Sequence, residues 1–232
     1  METERRTGIG PVDLVATPPM AAAHVPERVA SLLRERISAG ETGPGAKLTE
    51  ARLTQDFGVS RHSLRAAFQI LAAEGLVERH PNRGVFVHSP TAEDVRQIYR
   101  TRRVLEIGVV SVADYDARTL DELDRIIGAA RSAVALGDGD EMAQANQEFH
   151  RRLVAQADSA VVVRAMEEVL ARMRLAFSTM RDISSFHPDY VEPNARTVQL
   201  LRAGDRGEAI THMSDYFDRA EAELLDHLGQ SR

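Results

Sequence analysis

Fold and function are both decided by residues 48–86, which read LTEARLTQDFGVSRHSLRAAFQILAAEGLVERHPNRGVF. Leu53 and Phe57 lie four residues apart, so they face the same side of a short first helix. Thr49 is the expected cap of that helix, because its side-chain oxygen can accept from an unpaired first-turn N–H. Gly58 supplies the permissive backbone needed just past the helix end. This pattern predicts a short helix followed by a tight turn.

A second amphipathic helix follows the turn, with Ser60 as its expected cap. Its inward stripe consists of Leu64, Ala67, Phe68 and Leu71. Because that stripe occupies one side, Arg61, His62 and Arg65 point outward near the helix start. Two arginines one turn apart suit the major groove of DNA, since a guanidinium fork matches guanine O6 and N7 or grips phosphate in two places. Ser60 and Ser63 can donate to phosphate there.

A hairpin is predicted directly after the second helix. Residues 76–79 and 85–87 form short strands on either side of a turn at 80–84. Such a hairpin places Asn82 and Arg83 at its tip, near DNA backbone or minor groove. Turn, caps, stripe and hairpin agree with one another and predict a winged helix-turn-helix. The alternative is a small helical domain with an ordinary solvated charged face.

Charge is distributed unevenly along the 232 residues, whose formal net charge is −6. Residues 25–90 carry nine Lys and Arg against seven Asp and Glu, a balance of +2. Residues 91–232 carry 18 against 25, a balance of −7. The cationic surface is therefore local, and the acidic remainder would repel phosphate. Lys47 is the only lysine in the chain.

Composition also limits the class of protein. The chain contains no Cys, which excludes disulfides and thiolate sites and fits a reducing cytoplasm. No apolar run approaches the roughly 18–20 residues of a membrane span, and the acidic start does not resemble a signal peptide. We expect residues 1–23 to be a flexible tail, residues 24–90 to form the winged helix-turn-helix domain and residues 91–232 to form a second domain.

The second domain is predicted to be entirely helical. Thr91, with Asp94 three residues on, can cap its first helix. One side of that helix carries Val95, Ile98, Arg102, Leu105, Val109 and Val112. Later helices are expected to start near Thr119, Asp140, Ala160, Pro193 and Arg206, with a break at 184–188. Six to seven such helices make an antiparallel bundle whose facing helices can line a cavity, so the predicted fold class is mainly α.

The first domain resembles the GntR family of transcription factors over about residues 25–90. The matching segments are Ile37-Ser38-Ala39-Gly40, Pro44-Gly45-Ala46-Lys47-Leu48, Phe57-Gly58-Val59-Ser60-Arg61, Leu64-Arg65-Ala66-Ala67 and Glu74-Gly75-Leu76-Val77. The resemblance implies a homodimer on a short inverted repeat, with Arg61 and Arg65 reading bases. It also implies backbone contacts by Ser60, Ser63 and Gly84. Many members carry Arg where this chain has Ala51, with Arg52 next to it, and Thr where it has His62.

The second domain resembles the FCD ligand-binding domain of the FadR-type branch of that family over about residues 92–228. The matching segments are Arg102-Arg103-Val104-Leu105-Glu106, Asn146-Gln147-Glu148-Phe149-His150 and Leu200-Leu201-Arg202-Ala203-Gly204-Asp205. Many such domains hold a divalent metal through one Asp and three His, and the metal helps bind a small carboxylate. Here these positions are Asn146, His150, Asn194 and Tyr216. Because an amide is a weak ligand and a neutral phenol is none, no metal cofactor is expected, although His212 could complete a partial site.

Two hypotheses remain open for this polar set. Its members either form a hydrogen-bonded core network or line a cavity that binds a small-molecule effector directly; they are Asn146, His150, Asn194 and Tyr216. Arg102, on the inward side of the first bundle helix, either anchors an anionic effector such as a carboxylate or forms a salt bridge with a nearby Glu. One of the two is required, since an unpaired buried Arg is costly.

The sequence favours a cytoplasmic, homodimeric, effector-responsive transcription regulator, with repression as its expected mode and double-stranded DNA as its partner. Arg52, His62, Asn82 and Arg83 join the residues expected to contact that DNA. An effector-free bundle that only dimerises is the first alternative. A metal-dependent or acid/base enzyme is a remote one, because the sequence has no nucleophile–base pair at recognisable spacing. A non-specific architectural DNA binder is disfavoured by the acidic second domain.

Overall fold

The computed structural model describes residues 24–38, 40–179 and 188–230. The predicted tail at 1–23 and most of the predicted break at 184–188 lie outside the described residues. Within the described part the chain forms two compact units. One is built from residues 24–37 and 45–88, and the other from the remaining residues. Each unit has its own set of buried apolar side chains.

The predicted winged helix-turn-helix is confirmed in the N-terminal unit. Its elements are α1 (Val25–Ser38), β1 (Lys47–Leu48), α2 (Glu50–Phe57), α3 (Arg61–Ala73), β2 (Val77–His80) and β3 (Gly84–Val87). The helical core consists of Val29, Leu33, Ile37, Leu53, Phe57, Leu64, Phe68 and Leu71. Arg34 of α1 donates from Nε to Glu74 at 2.9 Å, which ties α1 to the end of α3.

The turn between α2 and α3 forms as expected. Gly58 adopts the left-handed conformation with φ 62°. Ser60 accepts a hydrogen bond from the Ser63 N–H at 3.0 Å and thereby caps α3. The capping prediction for Thr49 is wrong, because its side chain makes no capping bond. Glu50 instead places a negative charge in the first turn of α2, where it complements the helix dipole.

The wing is a three-stranded antiparallel sheet in the order β1-β3-β2. Phe86 on the central strand lies opposite Lys47 on one side and Glu78 on the other. The two-residue strand β1 is too short to show an alternating pattern in the sequence, so it is an addition to the predicted hairpin. Gly84 has φ 111°, and a Cβ there would lie 3.3 Å from Lys47 Cε. A side chain at position 84 would therefore be both strained and crowded.

Helices make up the C-terminal unit, and the predicted mainly α fold class is confirmed. The elements are α4 (Ala92–Arg102), a π-helical turn (Arg103–Ile107), α5 (Gly108–Val112), α6 (Ala117–Leu136), α7 (Gly139–Val154), a 3₁₀ turn (Ala155–Ala157), α8 (Ala160–Phe177), α9 (Pro188–Arg202) and α10 (Arg206–Gln230). Their inward faces share one apolar core. No helix in the described ranges is both long enough and apolar enough to cross a membrane.

The first bundle helix departs from its prediction after Arg102. The helix is not a regular α-helix up to Val112, because the π-helical turn separates α4 from α5. A turn closed by i→i+5 hydrogen bonds holds an extra residue. Leu105 packs partly buried against the apolar core as predicted, and Glu106 next to it is turned inward as well. Glu106 is fully buried, whereas Val112 is 77% exposed.

Three other helical details can be compared with their predictions. Thr91 and Asp94 form the predicted capping box at the start of α4. Pro193 lies inside α9 rather than at its start. The helix α6 begins before the predicted Thr119, because Asp116 accepts from the Thr119 N–H at 2.7 Å and caps the helix earlier.

Candidate nucleic-acid interface and buried polar cluster

The exposed face of α3 presents its basic residues near the helix start. Leu64, Ala67, Phe68 and Leu71 are buried beneath it, whereas Arg61, His62 and Arg65 are exposed. Within the described residues, no hydrogen bond or ion pair engages the Arg61 guanidinium. Ser60 and Ser63 sit at the same end of the helix, with their hydroxyl oxygens 3.0 Å apart. This arrangement offers cationic and hydroxyl donors from one helix end, as contact with a DNA groove requires.

Arg65 differs from Arg61 because it has a protein partner. Its Nε donates to both carboxylate oxygens of Glu50 on α2, at 3.0 and 3.1 Å. The two side chains are 59% and 30% exposed, so the pair lies at the surface. Hydrogen bonding to Glu50, followed by its charge, raises the pKa of Arg65. Glu50 was absent from the predicted site because no local spacing links it to a residue fifteen positions later.

The remaining predicted DNA contacts lie on α2 and on the wing. Arg52 is 82% exposed and stands 3.7 Å from Asp56 one turn later. Asn82 takes a left-handed backbone conformation with φ 60° at the wing tip. The Arg83 N–H donates to the His80 carbonyl at 3.1 Å and closes that turn. All nine predicted DNA contacts belong to the N-terminal unit, and none of them is buried.

A buried polar cluster lies in the C-terminal unit around Arg102. Arg102, Glu106 and His150 are each at most 1% exposed. Arg102 Nε donates to Glu106 Oε1 at 2.6 Å, and His150 Nδ1 lies 2.7 Å from Glu106 Oε2. The carboxylate thus binds one partner with each oxygen. The structure shows the salt-bridge alternative for Arg102, with Glu106, a residue missed by the predicted site, as its partner.

The protonation states of this cluster follow from burial and charge. Burial opposes ionisation of Glu106, but the charge of Arg102 and the hydrogen bonds within the cluster outweigh it and lower the pKa of Glu106 to about 2. Burial lowers the pKa of His150, which favours the neutral imidazole. A neutral imidazole that faces a carboxylate carries its proton on Nδ1, so His150 donates to Glu106. The cluster therefore has one positive and one negative charge.

Aromatic rings enclose the Arg102 guanidinium. Its carbon lies 4.4 Å from the ring centroid of Phe217 and 5.2 Å from that of Tyr99, within the range of cation–π attraction. One terminal nitrogen lies 3.1 and 3.3 Å from the two ring nitrogens of His150. Because these distances are nearly equal, that nitrogen sits against the imidazole face rather than along one lone pair. The Tyr216 hydroxyl lies 3.4 Å from His150 Nε2 and can donate to it.

Asn146 and Asn194 form a second polar contact in the bundle. Asn194 Nδ2 donates to Asn146 Oδ1 at 3.0 Å. Asn194 is only 4% exposed, and its own Oδ1 has no hydrogen-bond partner among the described residues. Turning both amides over would leave the nitrogen unpaired instead of the oxygen. In either orientation, one polar atom of the Asn194 amide is buried without a hydrogen bond from the described residues. Such an atom lowers the stability of the fold unless a ligand binds it.

The residues at the family's metal position do not fit a divalent metal. Asn146 and Asn194 are neutral amides bonded to each other, and His150 Nδ1 is committed to the buried carboxylate. Burial raises the pKa of Tyr216, so its phenol stays protonated. His212 Nε2 bonds a backbone carbonyl at 2.9 Å. In the described ranges no group of three His, Asp or Glu side chains is placed to hold a metal.

Comparison with known families identifies both halves of the chain. Residues 26–87 match the family described as bacterial regulatory proteins, gntR family, and residues 97–219 match the FCD domain. The chain belongs to the GntR family and carries an FCD domain. A chain with this pair of domains is a DNA-binding transcription regulator with a C-terminal effector-binding domain.

Relatives support the assignment over different shares of the chain. The HTH-type transcriptional regulator YdhC of Bacillus subtilis is 35% identical over 125 residues, which cover 53% of this chain and 56% of that protein. The gluconate operon transcriptional repressor of Bacillus licheniformis is 26% identical over 214 residues, which cover 86% of this chain and 84% of that protein. The crystal structure of a GntR regulator from Rhodococcus sp. RHA1 is 35% identical, with a TM-score of 0.79, and the match covers 87% of this chain and 97% of that one.

Proposed function

We propose that this GntR-family regulator is a cytoplasmic homodimeric repressor that binds an inverted-repeat operator and responds to a small molecule. The observation that carries the DNA-binding half is the α3 surface, where Arg61 and Arg65 stand exposed one turn apart above a buried apolar face. Repression is supported by the name of the relative that matches across 86% of the chain, a gluconate operon repressor. Two copies of α3 on a two-fold axis would read two half-sites.

The exposed residues divide into base readers and backbone contacts. Arg61 and Arg65 carry forks that suit guanine O6 and N7. The hydroxyls at the start of α3 and the wing suit phosphate and sugar; these backbone contacts are Arg52, Ser60, His62, Ser63, Asn82, Arg83 and Gly84. Gly84 would contribute through its backbone, because it has no side chain and tolerates none. All of these DNA contacts are assigned to residues 24–90.

The effector half of the proposal rests on residues 91–232 and on the buried end of Asn194. An effector with one hydrogen-bonding group would satisfy that end, next to Asn146. The cluster around Arg102 is already neutral, since Glu106 balances its charge. A carboxylate effector would therefore have to exchange with Glu106 for Arg102, whereas a neutral polar effector would not.

Effector binding would control the affinity for DNA through a shift between two arrangements of the dimer. A ligand changes operator affinity only to the extent that it binds one arrangement better than the other. The effector-free alternative, in which the bundle only dimerises, predicts no such coupling. A comparison of operator binding with and without ligand separates the two.

The DNA half is tested by fluorescence anisotropy with duplexes tiled across the chain's own upstream region and a scrambled duplex of equal composition. We expect one upstream duplex to bind at least about 1000-fold tighter than the scrambled one. Binding should weaken steeply between about 50 and 200 mM salt. Equal affinity for every duplex would overturn the proposal in favour of non-specific binding.

The effector half is tested by thermal shift of the purified chain against small carboxylates and against neutral polyols and amides. A ligand at about 100 times its Kd should stabilise the fold by about 2.7 kcal/mol. Asn194→Leu fills a similar volume without the amide and should abolish that stabilisation. A stabilisation by carboxylates that disappears in Arg102→Met would instead assign the effector to Arg102. No stabilisation by any compound, with operator binding intact, would favour the bundle that only dimerises.

A further inference from the structure

We infer that Glu50 is a positioning residue for DNA reading, which holds Arg65 by its Nε edge, directs its terminal nitrogens to a base and disfavours phosphate. This inference rests on the proposed function, since it assigns a specificity role within the same recognition surface. The contact joins the first turn of α2 to the first turn and a half of α3, and both elements belong to the N-terminal unit.

The geometry of the pair leaves one edge of the guanidinium available. Both Glu50 oxygens accept from Arg65 Nε, at 3.0 and 3.1 Å. A guanidinium has five N–H donors, of which Nε supplies one and the terminal nitrogens supply four. Within the described residues nothing hydrogen-bonds those terminal nitrogens. They form the end-on fork, and a bidentate Arg contact is the commonest specific contact to guanine O6 and N7.

The contact with Glu50 lowers the entropic cost of DNA binding by Arg65. An exposed arginine has considerable rotamer freedom, which binding must restrict. Glu50 restricts that freedom before DNA arrives. Arg61 on the same face has no such partner, so the two arginines enter the groove with different freedom. We therefore assign the stricter base preference to Arg65.

The charge of Glu50 also acts against the wrong contact. A phosphate that approached Arg65 side-on would meet the Glu50 carboxylate, and like charges at that distance repel. A guanine edge is uncharged and meets no such penalty. Glu50 should thus weaken binding to DNA in general while it strengthens binding to the operator.

The pair adds little to the stability of the fold. The Arg65 side chain is 59% exposed and that of Glu50 30%, and ion pairs open to solvent in this way contribute little or nothing measurable. Variants at Glu50 should therefore fold, which makes the inference testable in the full chain. Far-UV circular dichroism and thermal unfolding check this point before any DNA measurement.

The test compares Glu50→Gln and Glu50→Asp, each alone and in an Arg65→Ala background, on the operator duplex and the scrambled duplex. Glu50→Gln keeps the length and loses the charge, and we expect the ratio of scrambled to operator Kd to fall about tenfold, partly because scrambled DNA binds more tightly. Glu50→Asp keeps the charge and loses the reach, so operator affinity should fall while scrambled affinity stays unchanged. In an Arg65→Ala background neither change should alter the ratio of scrambled to operator Kd, because the arginine that Glu50 positions is gone.

Glu27→Gln is the matched control. Glu27 is also an exposed acid in the first turn of a helix, on α1, and it contacts none of the proposed DNA residues. Its removal should leave the Kd ratio unchanged within about twofold. If Glu50→Gln shifts both duplexes by the same factor as Glu27→Gln, the inference fails while the regulator stands. If the wild-type chain itself shows no preference between the duplexes, the proposed function fails first.

Discussion

The chain contains two Arg–Glu pairs of similar chemistry in opposite surroundings. Arg65 and Glu50 meet at the surface of the N-terminal unit, where the arginine is exposed and the carboxylate is partly exposed. Arg102 and Glu106 meet inside the bundle, where both are at most 1% exposed. Solvent reaches and screens the first pair, whereas the second is buried. The same two functional groups therefore form a contact that can exchange with other partners in the N-terminal unit and a permanent contact in the C-terminal unit.

The two arginines differ in whether they can give up their carboxylate partner. Arg65 can exchange or share its partner with DNA at little cost, because water already competes for it. Arg102 cannot lose Glu106 without leaving a buried charge. A surface pair suits the recognition of DNA, and a buried pair suits a fixed arrangement of the bundle core. Changes at the buried pair should therefore alter stability, and changes at the surface pair should alter DNA binding.

Glu106→Ala should cause the largest effect. It leaves Arg102 buried without a counter-charge, and breaking a buried pair in this way costs about 3–5 kcal/mol of unfolding free energy. Urea denaturation at pH 7 measures it. Glu50→Ala, measured alongside, should leave the midpoint almost unchanged. A small loss for Glu106→Ala would mean that the cluster is not a closed ion pair.

Acid should weaken the bundle through the same carboxylate. The folded pKa of Glu106 is about 2, against about 4.3 in an unfolded chain. Between those values the folded chain binds fewer protons than the unfolded chain, so stability falls as pH falls through that window, by on the order of 3 kcal/mol. Urea titrations at several pH values should show this loss in the wild type, and Glu106→Gln should lack this component. Identical pH profiles for both proteins would contradict the shift.

Arg65→Ala should weaken operator binding by roughly 5- to 150-fold if Arg65 reads a base. Scrambled duplex should be affected far less. Arg83→Ala on the wing is the comparison, because loss of a phosphate contact weakens both duplexes alike and reduces the salt dependence. Anisotropy titrations at two salt concentrations distinguish the outcomes. Equal losses on both duplexes for Arg65→Ala would make it a phosphate contact.

Tyr216→Phe should cause the smallest effect. The Tyr216 hydroxyl lies 3.4 Å from His150 Nε2, a long contact, so its loss should cost about 0.5 kcal/mol. Urea denaturation compares it directly with Glu106→Ala. A loss as large as that of Glu106→Ala would show that the hydroxyl, rather than the carboxylate, holds the cluster together.

The fold of the N-terminal unit could be predicted from the sequence because its signals are local. The stripe of α3, the Ser60 cap and the Gly58 turn all depend on residues within four positions of one another, and the structure contains each of them. The Thr49 cap was predicted by the same local rule and is wrong, because residue type permits a capping bond without requiring it. The DNA contacts assigned to Arg61 and Arg65 stay predictions.

The helical bundle and its buried polar cluster could be predicted from the sequence only in outline. Helical periodicity predicted the bundle and the inward Leu105, but it did not predict that Glu106, in the π-helical turn, is fully buried. Apolar spacing carries no information about a widened turn, so the carboxylate that neutralises Arg102 was missed. The Glu50–Arg65 pair was missed for another reason, since contacts between helices follow from packing rather than from spacing.

Lys47 gives the winged unit a practical handle. It is the only lysine in the chain, it is exposed, and its amine lies 5.8 Å from the Phe86 ring centroid on the wing sheet. Apart from the α-amine of the chain, an amine-reactive fluorophore would therefore have one amine to attach to, beside the segment proposed to contact the duplex. Its emission would then report the approach of DNA in real time, with no engineered attachment point.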